Sequence, residues 1–360
     1  MKTAVIGGGL SGLVAALRLV ERGHAVTLFE ASERLGGQIH TLETDGLVIE
    51  IGAEGFIARS ETVPALARDL GVEDALLDQA TTLTFADEPG GLRALGPGEA
   101  AALLGFQVPK EELGRGIRSF RRGMGQLVDA LVRRLEPAAV LRRGVRVRGV
   151  ERRAEALAMT LEDGTACVVD AAVVATPAGR AAALLAPLGL SVAAPLASGR
   201  MLSNASVILR YARDQIAHPL DGSGLVVPTD AQRDGFRACS FVTTKFERGT
   251  PPDVVLLRAF FRPTEAELAA RDDRAWIALA TSAIARPLGV RGEPIAAWTS
   301  VWPAALPVYD AAYKEAVARA DEALAPLSIA LAGSHVHGAG IDAAVQSAER
   351  AAASLHARAR

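Results

Sequence analysis

Ala4-Val5-Ile6-Gly7-Gly8-Gly9-Leu10-Ser11-Gly12 opens the chain; an Ala/Leu/Val-rich run to Arg22, a second apolar run from Ala25 to Phe29, Glu30, and Arg34-Leu35-Gly36-Gly37 follow. The order reads as strand, tight turn, helix, strand. Gly7 permits the sharp turn, Gly9 lets backbone approach a diphosphate, and Gly12 lets the helix pack close to the strand. The helix start supplies unpaired N–H groups and the positive end of the helix dipole for phosphate oxygens. Glu30 ends the second strand about 20 residues into the unit, where a carboxylate accepts hydrogen bonds from a ribose diol. Glycine spacing alone would also fit a turn without a ligand. A strand before it, a helix after it and an acid at this distance make it a dinucleotide signature, and the ligand predicted is an adenine dinucleotide.

With 360 residues the chain can bury a large core and predicts about two domains. Its 39 basic and 41 acidic residues are interspersed, for a net charge of −2. The densest basic patches, Arg118-Arg121-Arg122 and Arg142 to Arg153, are short and read as solvated faces, and aromatics at 4% supply no stacking platform. No nucleic-acid partner is expected. Cys167 and Cys239 stand far apart without a CxxC, which fits a reducing compartment. No uninterrupted apolar span is long enough for a membrane helix, and the N-terminal glycines are spaced for a phosphate turn rather than a signal peptide. The expected location is cytoplasmic.

Further along, Leu47 to Ile51 predicts a short strand running into Gly52-Ala53-Glu54-Gly55-Phe56. Two glycines around a carboxylate fit either backbone brought close to a ligand or an ordinary hairpin turn. Thr62 to Leu70 has helical periodicity after Ser60/Glu61 cap chemistry and stops at Gly71. Leu127, Val128, Leu131, Val132 and Leu135 form an amphipathic helix. Val145 to Val147 and Leu157 to Leu161 alternate as strands, Asp163-Gly164 is a hairpin turn, and Ala171 to Ala175 is a buried strand. A second, β-rich unit has strands at Ala205 to Tyr211, Gly224 to Val227, Ala238 to Thr243, Val254 to Phe261 and Ala296 to Trp302, with one helix from Thr264 to Ala285. Near the C-terminus, Ile329 to Ala332 is a strand, Gly333-Ser334 a turn, and Gly338-Ala-Gly340-Ile341-Asp342 opens a helix whose start suits a diphosphate or another ligand edge bearing partial negative charge. His335 and His337, two apart in a turn with no third ligand, do not make a metal site, and no metal is expected. Lys245 reads as a solvated lysine at a strand end and Arg200, Arg258 and Arg262 as solvated arginines, the alternatives being a base beside a bound cofactor for the lysine and partners for ligand carboxylates for the arginines.

Arg34-x-Gly36-Gly37 directly after the acid resembles the start of FAD enzymes of the amine oxidase and protoporphyrinogen oxidase superfamily. Glu50 to Arg59, followed by a helix and Leu70-Gly71-Val72, resembles bacterial protoporphyrinogen and coproporphyrinogen oxidases, especially the actinobacterial type. So do Gly224-Leu-Val-Val-Pro228, Thr244-Lys-Phe-Glu-Arg248, Val255-Leu-Leu-Arg258 and Trp302-Pro-x-x-x-Pro307-x-Tyr309, which carry the resemblance across almost the whole chain. Four departures stand out. The family's long helical, membrane-facing segment is missing between Pro109 and Phe120, and its basic residue near Thr81/Thr82 is absent. Phe261-Arg262 stands where glycines are usual, and Tyr313 replaces a histidine.

The resemblance implies an α/β fold: a doubly wound, Rossmann-like FAD domain built from residues 1–80, 120–190 and 310–360, and a mixed-sheet α+β substrate domain from 81–119 and 191–309. It implies FAD as cofactor, held by Gly7, Gly9, Leu10, Ser11, Gly12, Glu30, Arg34, Gly36, Gly37, Gly52, Ala53, Glu54, Val147, Trp302, Gly333, Ser334, Gly340 and Ile341, with Phe56, Arg59 and Tyr309 toward the substrate. The implied activity is removal of a hydride to flavin N5 with return of electrons to dioxygen as hydrogen peroxide, on a porphyrinogen. A smaller amine or conjugated substrate in specialised metabolism is the alternative, and a non-catalytic flavin-binding partner protein a third reading. Catalytic side chains stay unassigned, because hydride abstraction in this superfamily needs no obligatory acid or base. The expected partners are a small-molecule substrate and dioxygen, without stable membrane association.

Overall fold

In the computed structural model of this chain the structure describes residues 1–58, 61–104, 116–189, 196–197 and 199–358. Arg59, placed above toward the substrate, and residues 105–115, where the shortened segment falls, lie outside them.

Five short strands, each parallel to its neighbours, stand in the order Val140–Arg142, Ala25–Phe29, Lys2–Ile6, Ala171–Val174, Ile329–Leu331. Both faces of this sheet are covered, so its strands are apolar without interruption. Alternation still assigns the faces. Val5 and Val173 join a core with the helices Leu10–Glu21, Gly125–Leu135 and Ile341–Arg358. Ala4, Ile6, Ala172 and Val174 face the other way, into a core with Val150, Met159 and Leu161 of an antiparallel three-stranded meander and with the helices Ala178–Leu185 and Ala311–Leu324. The doubly wound α/β arrangement is the predicted one.

A second sheet of seven strands runs in the order Ala296–Pro307, Met201–Ala212, Val254–Phe261, Phe236–Phe241, Gly224–Val226, Thr84–Glu88, Gly91–Ala94. It is mixed: Gly224–Val226 and Thr84–Glu88 are parallel, the other pairs antiparallel. One face packs on the helix Asp273–Leu288 through Trp276, Ala280, Ile284 and Leu288, a four-residue spacing that keeps one stripe inward. The single helix expected from Thr264 to Ala285 is in fact two, Glu265–Ala270 and Asp273–Leu288. Each has its own N-cap, with Thr264 accepting from Glu267 N–H and Asp272 from Ala275 N–H, so the chain restarts instead of continuing. The opposite face of the sheet turns to the first unit, where Ile208 and Leu256 meet Leu47 and Ile49 of the hairpin Thr41–Thr44/Leu47–Glu50. Among the described residues no helix is long and apolar enough to cross a membrane.

Candidate functional site

A cavity of about 730 Å³ opens where Lys2–Ile6, Ala25–Phe29 and Ala171–Val174 end, lined there by Ile6, Gly7, Phe29, Glu30 and Ala175 to Pro177. The carboxyl ends of parallel strands are where doubly wound sheets bind ligands. Leu13 N–H is bonded to the Gly9 carbonyl at 3.0 Å as the helix begins, so the N–H groups of Leu10, Ser11 and Gly12 have no intrahelical acceptor. A Cβ at Gly9 would meet nothing closer than Gly37 Cα at 3.8 Å, whereas one at Gly12 would overlap the Gly7 carbonyl oxygen. Gly9 thus leaves space on the ligand side, and Gly12 sets the close approach of helix to turn.

Glu30 is held by the protein's own donors. Its Oε2 accepts from Gly8 N–H at 2.7 Å, and its Oε1 from the N–H and Oγ of Ser32, both at 2.8 Å. Gly36 lies alongside the turn, its N–H donating to the Gly8 carbonyl at 2.7 Å. Arg34 fixes that loop from behind, donating to the carbonyls of Leu35, Gly37 and Ile39 at 2.5–2.9 Å. Burial, eased by nearby Glu30, holds its guanidinium below the usual arginine value.

Gly7, Gly9, Leu10, Ser11, Glu30, Gly36, Gly37, Ala53, Phe56, Val147, Gly333, Ser334, Gly340 and Ile341 all line this one cavity, although they come from five separated stretches of sequence. Gly12, Arg34, Gly52, Glu54, Trp302 and Tyr309 do not line it. Gly52 stands behind the wall, where a Cβ would overlap the Gln38 carbonyl oxygen, and Trp302 turns its indole N–H to Ser300 Oγ at 2.7 Å. Tyr309 packs on Tyr313 with ring centroids 6.0 Å apart. Ile57, Ile117, Ala305 and Leu306 complete the apolar lining.

The sequence model of the family described as flavin containing amine oxidoreductase matches residues 10–105 and 98–356. The chain belongs to that family. Among similar proteins, coproporphyrinogen III oxidase of Mycobacterium leprae is 26% identical over 450 aligned positions, covering 98% of each chain, and that of Bacillus subtilis is 22% identical over 445, covering 94% of each. An alignment of 450 positions to a chain of 360 residues leaves segments of the relative without a counterpart here. The crystal structure of an Exiguobacterium protein ascribed to protoporphyrinogen oxidase superposes with a TM-score of 0.86 at 21% identity, over 99% of both chains. Putrescine oxidase superposes with 0.75 at 16% identity. These two show a shared fold.

As a flavin containing amine oxidoreductase the protein is a flavin-dependent oxidoreductase, and the cavity fits its cofactor. The unspent N–H groups at Leu10 to Gly12 and the space beside Gly9 suit a diphosphate, and the preset Glu30 carboxylate suits a ribose. Behind the Ala53 to Phe56 wall of this amine oxidoreductase lies a buried polar network that corrects two sequence readings. Lys245 is not solvated: it ends the short helix Val242–Lys245 with its side chain 13% exposed and pairs with Glu54 at 2.8 Å. Arg258, only 3% exposed, is not solvated either; it donates to the Gly52 carbonyl at 2.7 Å and to Ser206 Oγ at 3.0 Å. Burial pushes the Glu54 carboxyl up, but Lys245 and Arg258 outweigh it and hold Glu54 below its usual range. Glu50, accepting from Thr41 Oγ1 at 2.7 Å and Met124 N–H at 2.6 Å, is pushed up to about 7 by burial. The sequence reading missed Glu50 and also Arg248, which donates to Ser119 Oγ at 2.7 Å and whose charge acts on both Glu50 and Glu54. A signal for Arg258 was present: a lone charge inside the apolar strand Val254–Phe261 must find buried partners.

His335, weighed from sequence only as half of a metal pair, lines the cavity with its Nε2 buried and unpartnered among the described residues. Burial, reinforced by His337, holds it down to about 4, so the ring is neutral at physiological pH. His337 instead bridges Ser347 Oγ at 2.7 Å and Asp321 at 2.8 Å, so the two rings serve separate surroundings.

Proposed function

We propose that this chain is an FAD-dependent oxidase that removes a hydride from a C–H bond beside nitrogen or within a conjugated ring system, with dioxygen as acceptor, hydrogen peroxide as product and a porphyrinogen as substrate. The observation that carries this reading is the continuity of the cavity. It runs from the diphosphate turn and Glu30 past Val145 to Arg148, which would take the adenine, and past Ala53, Phe56 and Ile341 to the apolar residues Ile57 and Leu306. An adenine end beyond the diphosphate favours FAD over a mononucleotide. Coproporphyrinogen III oxidases matching nearly the whole chain support the substrate class.

When bound, FAD supplies the hydride acceptor and the electron relay to dioxygen. The chain's own part is binding and orientation. Leu10 and Ser11 N–H groups would hold the diphosphate, Glu30 the ribose, and the Val147 backbone the adenine. The start of the helix Ile341–Arg358 would bear on the pyrimidine edge of the ring, where its dipole favours negative charge. Phe56, Ile57, Ile117 and Leu306 would exclude water from the reacting face.

The shorter chain favours one second reading, a smaller amine or conjugated substrate. Anaerobic mixing of the flavin-loaded protein with coproporphyrinogen III and with protoporphyrinogen IX, following flavin bleaching and porphyrin fluorescence, tests the choice. Bleaching that reverses in air is the expected result. If neither compound reduces the flavin faster than the enzyme-free background, the porphyrinogen reading is wrong, and a flavin that stays oxidised with small amines as well marks a binding protein.

A further inference from the structure

The loop that follows the strand Ile329–Leu331 forms one wall of the cavity, which Gly333, Ser334, His335, Ala339 and Gly340 line. Its own backbone is poorly constrained. Gly333, Gly338 and Gly340 stand at φ +140°, +129° and +97°, where glycine alone moves freely. Bonds from two flanking helices therefore set its shape. From the helix Ala311–Leu324, Tyr313 donates its hydroxyl proton to the His335 carbonyl at 2.8 Å, and Asp321 Oδ2 meets His337 Nε2 at 2.8 Å. From the helix Ile341–Arg358, Ser347 Oγ accepts the Gly333 N–H at 2.9 Å and lies 2.7 Å from His337 Nδ1.

These contacts decide where each proton sits. Ser347 is fully buried, and among the described residues its hydroxyl proton has a single acceptor in reach, His337 Nδ1. Nδ1 is then the bare ring nitrogen, and the ring proton belongs on Nε2, facing the Asp321 carboxylate. The opposite tautomer would turn the Nε2 lone pair on that carboxylate and leave the Ser347 hydroxyl without an acceptor. An imidazolium would aim a second donor at Ser347 Oγ beside Gly333 N–H, and the hydroxyl proton would again be unpaired. Only the neutral Nε2–H ring gives every proton a partner, in the order Gly333 N–H to Ser347, Ser347 O–H to His337, His337 N–H to Asp321.

Serine, histidine and aspartate in a row also make a nucleophilic triad. Ser347 has no exposure, so no substrate reaches its hydroxyl, and the order of bonds serves position instead. It runs from Asp321, whose side chain is 39% exposed, to the backbone of a residue that lines the cavity. His337 itself does not line it.

We propose that His337 is a positioning residue for the cofactor: oriented by Asp321 as the neutral Nε2–H tautomer, it keeps the Ser347 hydroxyl turned so that its oxygen fastens the Gly333 amide, and so holds the loop in the shape that receives the flavin nucleotide. The proposal rests on the reading that this cavity seats the flavin. Its effect is on affinity, since a loop left free must be ordered at the moment of binding.

The test starts from flavin-loaded protein and follows the flavin fluorescence released on dilution. His337→Leu and Ser347→Ala should each weaken flavin retention about tenfold, the effect of leaving one buried polar group unpaired. His337→Asn, whose side-chain oxygen can still accept from Ser347, should retain flavin far better than His337→Leu. In a Ser347→Ala background, His337→Leu should have no further effect, because the imidazole acts through that hydroxyl. Nitrogen-15 NMR of histidine-labelled, flavin-loaded wild type near neutral pH should show the Nε2–H tautomer for the ring whose signal is lost in His337→Asn. An Nδ1–H ring or an imidazolium there overturns the proposal. So do additive losses in the double variant, an asparagine variant as weak as the leucine one, or unchanged retention in His337→Leu. If His337→Leu does not fold, the asparagine and alanine variants and the tautomer decide. Wild type that takes up no flavin brings down the cofactor reading and the proposal together, a result distinct from all of these.

Discussion

Lys245 Nζ lies 2.8 Å from Glu54 Oε2 across two units of the fold, with both side chains largely withdrawn from water. Ser240 Oγ bridges the pair, 3.2 Å from Glu54 and 3.1 Å from Lys245. The seven-stranded sheet thereby holds the segment Gly52 to Phe56 that walls the cavity, with Arg258 fastening the Gly52 carbonyl beside it. Removing two charges from water is costly, and a buried pair gains little net stability over apolar neighbours. Its effect here is on position: it fixes where Ala53 and Phe56 stand.

Breaking the pair from one side strands a buried charge. Glu54→Gln or Lys245→Met alone should lose about 3–5 kcal/mol in denaturant unfolding, and the double variant should recover most of it. Additive losses would show that the two residues act separately.

Glu50 makes stability fall with rising pH. Its folded value of about 7 lies above the ordinary 4.5, so the folded chain holds a proton that the unfolded chain has already released. The stabilisation is full below 4.5 and is lost as pH rises through about 7. Between pH 5 and pH 8 Glu50→Gln should gain on wild type by about 2.5 kcal/mol. Urea titrations at pH 5, 6, 7 and 8 check this, and a wild-type-to-variant difference independent of pH contradicts it.

Gly12→Ala cannot be accommodated without moving the phosphate turn, because its Cβ would overlap the Gly7 carbonyl oxygen. The variant should lose flavin on gel filtration, whereas Gly23→Ala, where a Cβ would meet nothing, should keep it with only a modest strain cost at φ +80°. Equal flavin content in the two would show that the turn is not the cofactor's seat.

Arg34→Lys tests the bracket behind Gly36 and Gly37. A lysine ammonium cannot span the three carbonyls that the guanidinium fork reaches. Flavin affinity should fall about tenfold, the effect of losing one or two hydrogen bonds from a charged donor. An unchanged dissociation constant would mean that the loop holds its shape alone.

Much of the fold was written in local pattern. Gly7 to Gly12, the apolar runs on either side and Glu30 required a strand, a phosphate turn, a helix and a second parallel strand, because each step depends on residues only a few positions apart. The resemblance from Arg34 to Tyr309 extended this to the second sheet and its strands. The sequence could not show which side of the Gly52 to Phe56 wall each residue takes: Ala53 and Phe56 line the cavity while Glu54 turns away to Lys245, 191 positions distant. Nor could it show that Arg258, Lys245 and Glu50 leave water. Local spacing dictates backbone form. Charge burial and partner choice depend on which distant surfaces the packed sheets bring together, and only the tertiary structure decides that.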